Sequence, residues 1–437
     1  MCSIAGAQTR DKVEKMLDIQ KHRAPDGEGI VGDKKFTVGM GRSAIIDLKS
    51  HGLCPYTEDD YLIAFDGRIY NYLELRKKLE KKGWEFKTNS DTEVLLKAWR
   101  EWDVKMFDKL NGMFAFAIYD GNRVILARDI VGEKPLYFSR EPFRFASEAK
   151  SLDFRCNEFP PASYGIYNFD AFTIRRYWNL TLKKLYPNDI EEQLEELLGD
   201  AIKIRLKSDV PYGLYYSGGV DSSLINTFHD FEHKFTYEDK DYAEEFKEIY
   251  PKIAWHLDYP IKSFSAFGLW KLAEMASKKV KVIISGEGAD ELFGGYVRYI
   301  PAQFEYEALR FFPSYKSVFD KAKNVNESGV EEFRGNLREI LRMSDRMASA
   351  FGLETRCPFL DKRVIEFAFS LPHNLKIKGF DTKIVLKKIL KKRNPEWKDS
   401  EKHGLFCSVN KWIGSKDKFK KEDYIRFQKK IWKELRA

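Results

Sequence analysis

Two glycine-rich strings, each directly behind a short apolar run, constrain this chain more than anything else in it. Ser217-Gly218-Gly219-Val220-Asp221-Ser222-Ser223 follows Val210 to Tyr216, and Ser285-Gly286-Glu287-Gly288-Ala289-Asp290-Glu291 follows Val280 to Ile284. An apolar run of strand length that ends in glycine and a capping hydroxyl predicts strand, tight turn and helix start. Two such units in series predict a parallel sheet with both loops at its carboxyl edge, where open α/β folds bind ligands. In the first loop the glycines let the backbone approach an anion, the helix start aims unpaired N–H groups at phosphate oxygens, and the serines add donors. No lysine follows in the GK[ST] arrangement, which excludes a Walker-type loop. The second loop puts Glu287, Asp290 and Glu291 together, a costly gathering of like charge unless a metal or an ammonium offsets it.

The chain begins Met1-Cys2-Ser3-Ile4-Ala5-Gly6. Once an initiator methionine is removed, Cys2 carries both a thiol and an α-amino group with a pKa of about 8, so one residue supplies nucleophile and base. The bland alternative is a small residue opening a buried strand.

At 437 residues the chain is too long for one core, and two domains are expected. Apolar residues make up 43%, enough for packed interiors, and no apolar stretch is long enough to span a bilayer. With no signal-peptide pattern, a soluble, cytoplasmic protein is expected. Cys2, Cys54, Cys156, Cys357 and Cys407 lack CxxC spacing, against a zinc site or a disulfide framework. The net charge of +8 raises nucleic-acid binding, but Lys387-Lys388, Lys391-Lys392-Arg393 and Lys416 to Lys421 are short runs near acids, expected to be solvated helix faces.

Before the boundary, Phe36 to Met40, Tyr61 to Phe65, Phe114 to Ile118 and Arg123 to Ala127 read as strands, and Asn71 to Lys82 and Asp91 to Trp102 as helices. The pattern changes near Lys183 to Asp189, and Ile190 to Ile204 reads as an amphipathic helix. The expected domains are residues 1–182 and 188–437, with several helices after Tyr296.

The first loop resembles the SGGxDS loop of ATP pyrophosphatases, which cleave ATP between its α and β phosphates. Further strings extend the likeness: His22-Arg23-Ala24-Pro25-Asp26, Arg42 to Asp47, Asp66-Gly67-Arg68-Ile69-Tyr70-Asn71, Ser90-Asp91-Thr92-Glu93, Gly112 to Phe116, Leu292-Phe293-Gly294-Gly295-Tyr296 and Glu354 to Asp361. Together they make the chain similar to the glutamine-hydrolysing asparagine synthetases over almost its whole length. The resemblance implies an α/β protein whose first domain is α+β: an N-terminal αββα sandwich of the Ntn-hydrolase type, then a Rossmann-like adenine-nucleotide-binding parallel sheet with C-terminal helices. It implies adenylation of the aspartate β-carboxylate by ATP with Mg2+, and amidation by ammonia that Cys2 releases from glutamine. Arg42 would pair with the glutamine α-carboxylate, Ser43, Ala44, Ile45, Ile46 and Arg68 would line its pocket, and Asp91 would receive its ammonium. Position 66 and Gly67 would form the oxyanion hole. Tyr215, Ser217, Gly218, Gly219, Asp221, Ser222, Tyr237, Ser285 and Gly286 would contact ATP, with Asp221 and Asp290 on the metal. Glu287 would act in forming the acyl-adenylate and Lys383 would approach the acyl phosphate. The partners are then small molecules, without membrane or nucleic acid, and a homodimer is left open.

Two departures bear on function. The family has Asn where this chain has Asp66, and an ionised carboxylate accepts hydrogen bonds where an oxyanion needs a donor. Slow glutamine hydrolysis, with free ammonia the better nitrogen donor, is the expectation that follows. The short interval from Ser217 to Ser285 trims a region that shapes the acceptor pocket. A related amide ligase with another acceptor is therefore a rival, and an RNA-modifying ATP pyrophosphatase and a non-catalytic descendant are more distant ones.

Overall fold

The computed structural model describes residues 1–48, 54–182, 188–258, 263, 265–296, 299 and 325–399. Cys407, the Lys416 to Lys421 run and residues 183–187 of the expected boundary lie outside them. Alternating apolar runs in the first part form two antiparallel six-stranded sheets. One runs in the order Asn157–Glu158, Tyr137–Arg140, Phe143–Ala146, Ser3–Ala7, Thr37–Arg42, Gly27–Gly32. The other runs Phe172–Arg176, Ser163–Tyr167, Val124–Arg128, Gly112–Tyr119, Tyr61–Ile69, Tyr56–Glu58. Between them lie Ile4, Val38, Met40, Leu62, Ala64, Leu126 and Phe145. Period-2 alternation sends their neighbours outward. Ala5 and Ala7 meet Val13, Met16 and Leu17 of the helix Arg10–Ile19, while Phe65, Phe116 and Ile118 meet Leu75, Leu95 and Trp99 of the helices Tyr72–Glu80 and Asp91–Trp102. The result is four layers, helix, sheet, sheet, helix, as expected.

The expected strand Tyr61 to Phe65 continues to Ile69, carrying Asp66 and Gly67 inside the ladder opposite Ala115 and Phe114. Sequence alone stops it early, because a charge followed by glycine reads as a turn. The helix Asp91–Trp102 has its expected bounds, and the Ser90 hydroxyl caps it by accepting from the Thr92 N–H at 3.1 Å.

Beyond residue 188 the strands Lys234–Phe235, Tyr212–Tyr215, Val282–Ile284 and Glu354–Arg356 form, in that order, a wholly parallel sheet. The chain steps from Tyr212–Tyr215 to one neighbour, then crosses to the other side for Val282–Ile284. The two glycine-rich loops therefore leave adjacent strands at the point where strand order reverses. Helices cover both faces: Ile190–Arg205, Val220–Phe228, Lys362–Ser370 and Ile384–Arg393 on one, Ser265–Ser277 and Asn336–Ser349 on the other. The basic runs at 387–393 meet acids of the helix Ile190–Arg205, as in Lys388 with Glu191 at 2.7 Å and Arg393 with Glu195 at 2.6 Å. No helix among the described residues is long and apolar enough to cross a membrane.

Candidate active sites

Cys2 stands at the start of the buried strand Ser3–Ala7 and borders a cleft. Arg42, Ser43, Ile46, Gly67, Arg68, Ser90 and Thr92 also line it. Burial pushes the Cys2 thiol pKa up, and a hydrogen bond from the Ser43 backbone N–H works against that rise. Two buried acceptors nearby lack a hydrogen-bond donor: the Ser43 hydroxyl and Asp91 Oδ1. Asp91 Oδ2 accepts from the Ile69 N–H at 3.1 Å, and Arg68 Nη1 lies 3.6 Å from Oδ1. Burial raises the Asp91 pKa, and Arg68 opposes this. Unpaired buried acceptors are costly, and a ligand that donates to them recovers that cost.

Three of the expected lining residues make contacts of their own. Ala44 gives its N–H to Asp26 at 2.8 Å, and the buried Ile45 accepts from the Asp209 N–H at 2.9 Å. Asp66 is turned away. Its Oδ1 accepts from the Cys2 N–H at 3.0 Å and its Oδ2 from Arg23 Nη2 at 3.0 Å. The guanidinium thus opposes the negative charge that set Asp66 apart from an asparagine. Gly67, with φ +143°, does border the cleft, and a Cβ there would strike the Met113 carbonyl at 2.1 Å. Met1 precedes Cys2, so the Cys2 nitrogen is a peptide N–H, and the Met1 side chain packs with Ile283, Leu353 and Tyr215.

At the parallel sheet, Gly218 turns with φ +74° and the helix Val220–Phe228 begins two residues later. The Ser217 N–H donates to Ser222 Oγ at 3.1 Å, and Ser223 Oγ donates to the Gly218 carbonyl at 3.0 Å, which fixes the loop around Gly219. Gly286 of the second loop lies against Asp221, where an added Cβ would come within 3.0 Å of the Asp221 Cβ. Tyr215 is buried with an unpaired hydroxyl, and Tyr237 donates to Asp239.

The three carboxylates of the second loop do not share one counter-charge. Glu287 accepts from Ser344 Oγ at 2.8 Å and from the Cys357 thiol at 3.4 Å. Glu291 is buried, accepts from the Tyr296 hydroxyl at 2.6 Å, and has its pKa raised to about 7 by burial. Only Asp290 joins Asp221. Lys383 Nζ lies 2.5 Å from Asp221 Oδ1 and 2.7 Å from Asp290 Oδ1, and these anions keep its pKa high despite burial. Lys383 itself adopts φ +54°, a left-handed conformation that costs energy for a residue with a side chain and clusters at functional sites. No group of three His, Cys, Asp or Glu among the described residues could hold a metal. Two aspartates fit magnesium only if substrate phosphate and water complete its shell, which is how that ion is commonly bound.

Sequence reasoning missed what joins these sites. Arg23, fully buried, donates to the Cys2 carbonyl, Asp66, Glu148, Asp345 and Ser349. Arg68 Nε reaches Glu354 at 3.2 Å, and Arg346 pairs with Glu148 and Asp258. Arg23 and Glu354 sat inside quoted strings, but no spacing shows that Arg23 will meet Asp345, 322 positions on, or Arg68 meet Glu354, 286 positions on.

Residues 1–178 match the glutamine amidotransferase domain family, and residues 193–238, 229–334 and 319–421 match the asparagine synthase family. The chain is 30% identical to asparagine synthetase [glutamine-hydrolyzing] 1 of Bacillus subtilis, over 94% of this chain and 89% of that one. It is 31% identical to a putative asparagine synthetase [glutamine-hydrolyzing] 2 of Methanocaldococcus jannaschii, covering 79% and 85% of the two chains. With asparagine synthetase B [glutamine-hydrolyzing] of Escherichia coli it shares 29%, over 85% and 75%.

Proposed function

The chain belongs to the glutamine-hydrolysing asparagine synthetase family, and from that premise we propose how its residues divide the work of an ATP-dependent ligase that makes asparagine. Residues 1–182 release ammonia from glutamine, and residues 188–437 activate aspartate. Arg42 pairs with the glutamine α-carboxylate, a task its planar fork suits. Asp91 Oδ1 and the Ser43 hydroxyl take up donors of the substrate. The Cys2 sulfur attacks the side-chain amide, the Gly67 backbone N–H steadies the tetrahedral oxygen, and ammonia leaves as the thioester forms. Water then frees glutamate.

At the sheet edge, Ser217 to Ser223 cradle the phosphates with Ser285 and Gly286. A carboxylate is a poor electrophile, so the aspartate β-carboxylate attacks the α-phosphorus, pyrophosphate leaves, and the β-aspartyl-adenylate offers AMP as leaving group. Glu287 stands beside the reacting carboxylate. Asp221 and Asp290 would hold magnesium, which neutralises phosphate charge. Lys383, anchored between these aspartates, adds a fixed positive charge toward the acyl phosphate. Ammonia must arrive unprotonated, so its internal transfer between the two sites excludes bulk water.

The observation that carries this division is Lys383 clamped between Asp221 and Asp290 at the strand-order reversal, in one chain with a cleft that Cys2, Arg42, Ser43 and Gly67 line together. Exchange of labelled pyrophosphate into ATP should require aspartate, and asparagine should be identified by mass with either glutamine or ammonium. Absence of aspartate-dependent exchange would move the chain to a relative with another acceptor.

A further inference from the structure

Where the edge of the second antiparallel sheet meets the helices Val325–Arg334 and Asn336–Ser349, five arginines gather around one glutamate. Pairing across the sheet sets Arg128, Ser163 and Arg176 in one transverse row, so Arg128 and Arg176 share a face. Arg338 and Arg342, one turn apart, share a face of the helix Asn336–Ser349, and Arg334 ends the helix before it. Glu158 ties the two groups together. Its Oε1 accepts from Arg128 Nη1 at 2.7 Å and its Oε2 from Arg342 Nη2 at 2.6 Å. Arg128 is buried and also donates to the carbonyls of Lys134, Phe159 and Gly132, so this part of the cluster is a fixed floor.

The rim is different. Among the described residues, the side chains of Arg176, Arg334 and Arg338 form no hydrogen bond or ion pair. Arg176 and Arg334 are exposed and Arg338 is half-buried. Both oxygens of the one carboxylate are already taken by Arg128 and Arg342, which leaves three positive charges without a counter-ion. Burial, with Arg128, Arg176 and Arg334 nearby, holds the Arg338 pKa below the ordinary guanidinium value, against the pull of Glu158. A guanidinium does not give up its proton at working pH, so an anion, rather than deprotonation, is what relieves this repulsion. The planar fork of arginine matches phosphate oxygens two at a time. Three forks clustered at one place suit a compact oxyanion with several oxygens and at least two charges, whereas a nucleic-acid backbone needs basic groups along a track.

We propose that Arg176, Arg334 and Arg338 bind the phosphate chain of a small molecule, either free pyrophosphate or a nucleotide, at a site separate from the loops Ser217 to Ser223 and Ser285 to Glu291. Arg176 comes from the antiparallel sandwich and the other two from the second half of the chain, so the anion also fastens the two halves together.

Calorimetric titration of the purified full chain with pyrophosphate and with ATP, at fixed ionic strength, counts the sites. Arg338→Gln should bind one equivalent fewer than the wild type, its affinity at this site weakened about tenfold or more. An equivalent lost for pyrophosphate assigns the site to the bare phosphate chain, and one lost for ATP alone assigns it to a nucleotide. Arg338→Lys keeps the charge without the fork and should fall between. Arg176→Gln, at an exposed position, should behave as Arg338→Gln does and decides the matter if that variant does not fold. Equal stoichiometry and affinity in the wild type, Arg338→Gln and Arg176→Gln would overturn the site. So would a short single-stranded RNA that binds the wild type, is lost in both variants and resists displacement by pyrophosphate.

Discussion

Asp66 shows how much one residue's meaning depends on what it faces. As a letter in the sequence it is an acid where the family has an amide, and it predicts a hostile oxyanion hole. In the structure its carboxylate is turned from the cleft onto the Cys2 nitrogen and Arg23. The charge then acts on the nucleophile's own groups. Burial raises the pKa of the thiol and the neighbouring carboxylate adds to that rise; by the same charge effect a carboxylate beside an amine freed by loss of Met1 favours its protonated form. Both effects delay the active form to higher pH. Asp66→Asn should therefore raise glutamine turnover near neutral pH relative to ammonium, and move the rising limb of the kcat/KM profile down by about one pH unit. Equal glutamine rates and superimposable profiles in the two proteins would refute this. Arg42, Ser43 and Gly67 were legible from the resemblance and do border the cleft. The contacts of Ala44 and Ile45 with Asp26 and Asp209 were not, because a run of consecutive residues looks continuous until the backbone decides which groups turn where.

Among the elements, loops that follow apolar strands were the most legible, since glycine placement and strand length are local properties. The parallel pairing of Tyr212–Tyr215 with Val282–Ile284 follows from them. What the second loop does with its acids was not legible. Gly294 and Gly295 entered only as part of a string that carries the resemblance, yet a Cβ at Gly295 would collide with Asp290 Oδ1 and Lys383 Cε. That glycine is the space in which the Asp290 and Lys383 pair forms. Gly295→Ala should abolish most aspartate-dependent pyrophosphate exchange, leave glutamine hydrolysis intact, and cost about 1–3 kcal/mol of stability from overpacking. Exchange at the wild-type rate would show that the pair is dispensable.

On the scale of the whole molecule, the seam between the antiparallel sandwich and the parallel sheet is held by buried charge as well as by apolar contact. Glu148 meets Arg23, Arg346, Lys150 and His22, and the charges of Lys150 and Arg346 depress its pKa well below the usual range despite burial. His22 stacks edge-on against His256 and Trp255. Burial lowers both histidine pKa values, His256 to about 2, with His22, Lys150 and Arg346 opposing its protonation and Glu148 favouring it. The unfolded chain then binds more protons than the native one below about pH 6.5, so stability falls as pH falls. Each such histidine contributes up to about 1.4 kcal/mol per pH unit, and Glu148 adds to the loss below about pH 4.3. Denaturant unfolding between pH 7 and 5 should show this slope, and His256→Phe should reduce it by about one proton. An unchanged slope would mean that His256 does not titrate in this way. The sequence by itself determined the two glycine-rich loops, the parallel sheet beneath them, the cysteine at position 2 and the family to which these belong. Each is carried by residues close together in the chain, where spacing and residue type set the local geometry. Only the tertiary structure decided that Asp66 turns to Arg23, that Lys383 stands between two aspartates, and that Ser344 and Asp345 serve different sites. Those pairings join residues tens to hundreds of positions apart, and their energies depend on burial and distance that exist only once both halves have folded together.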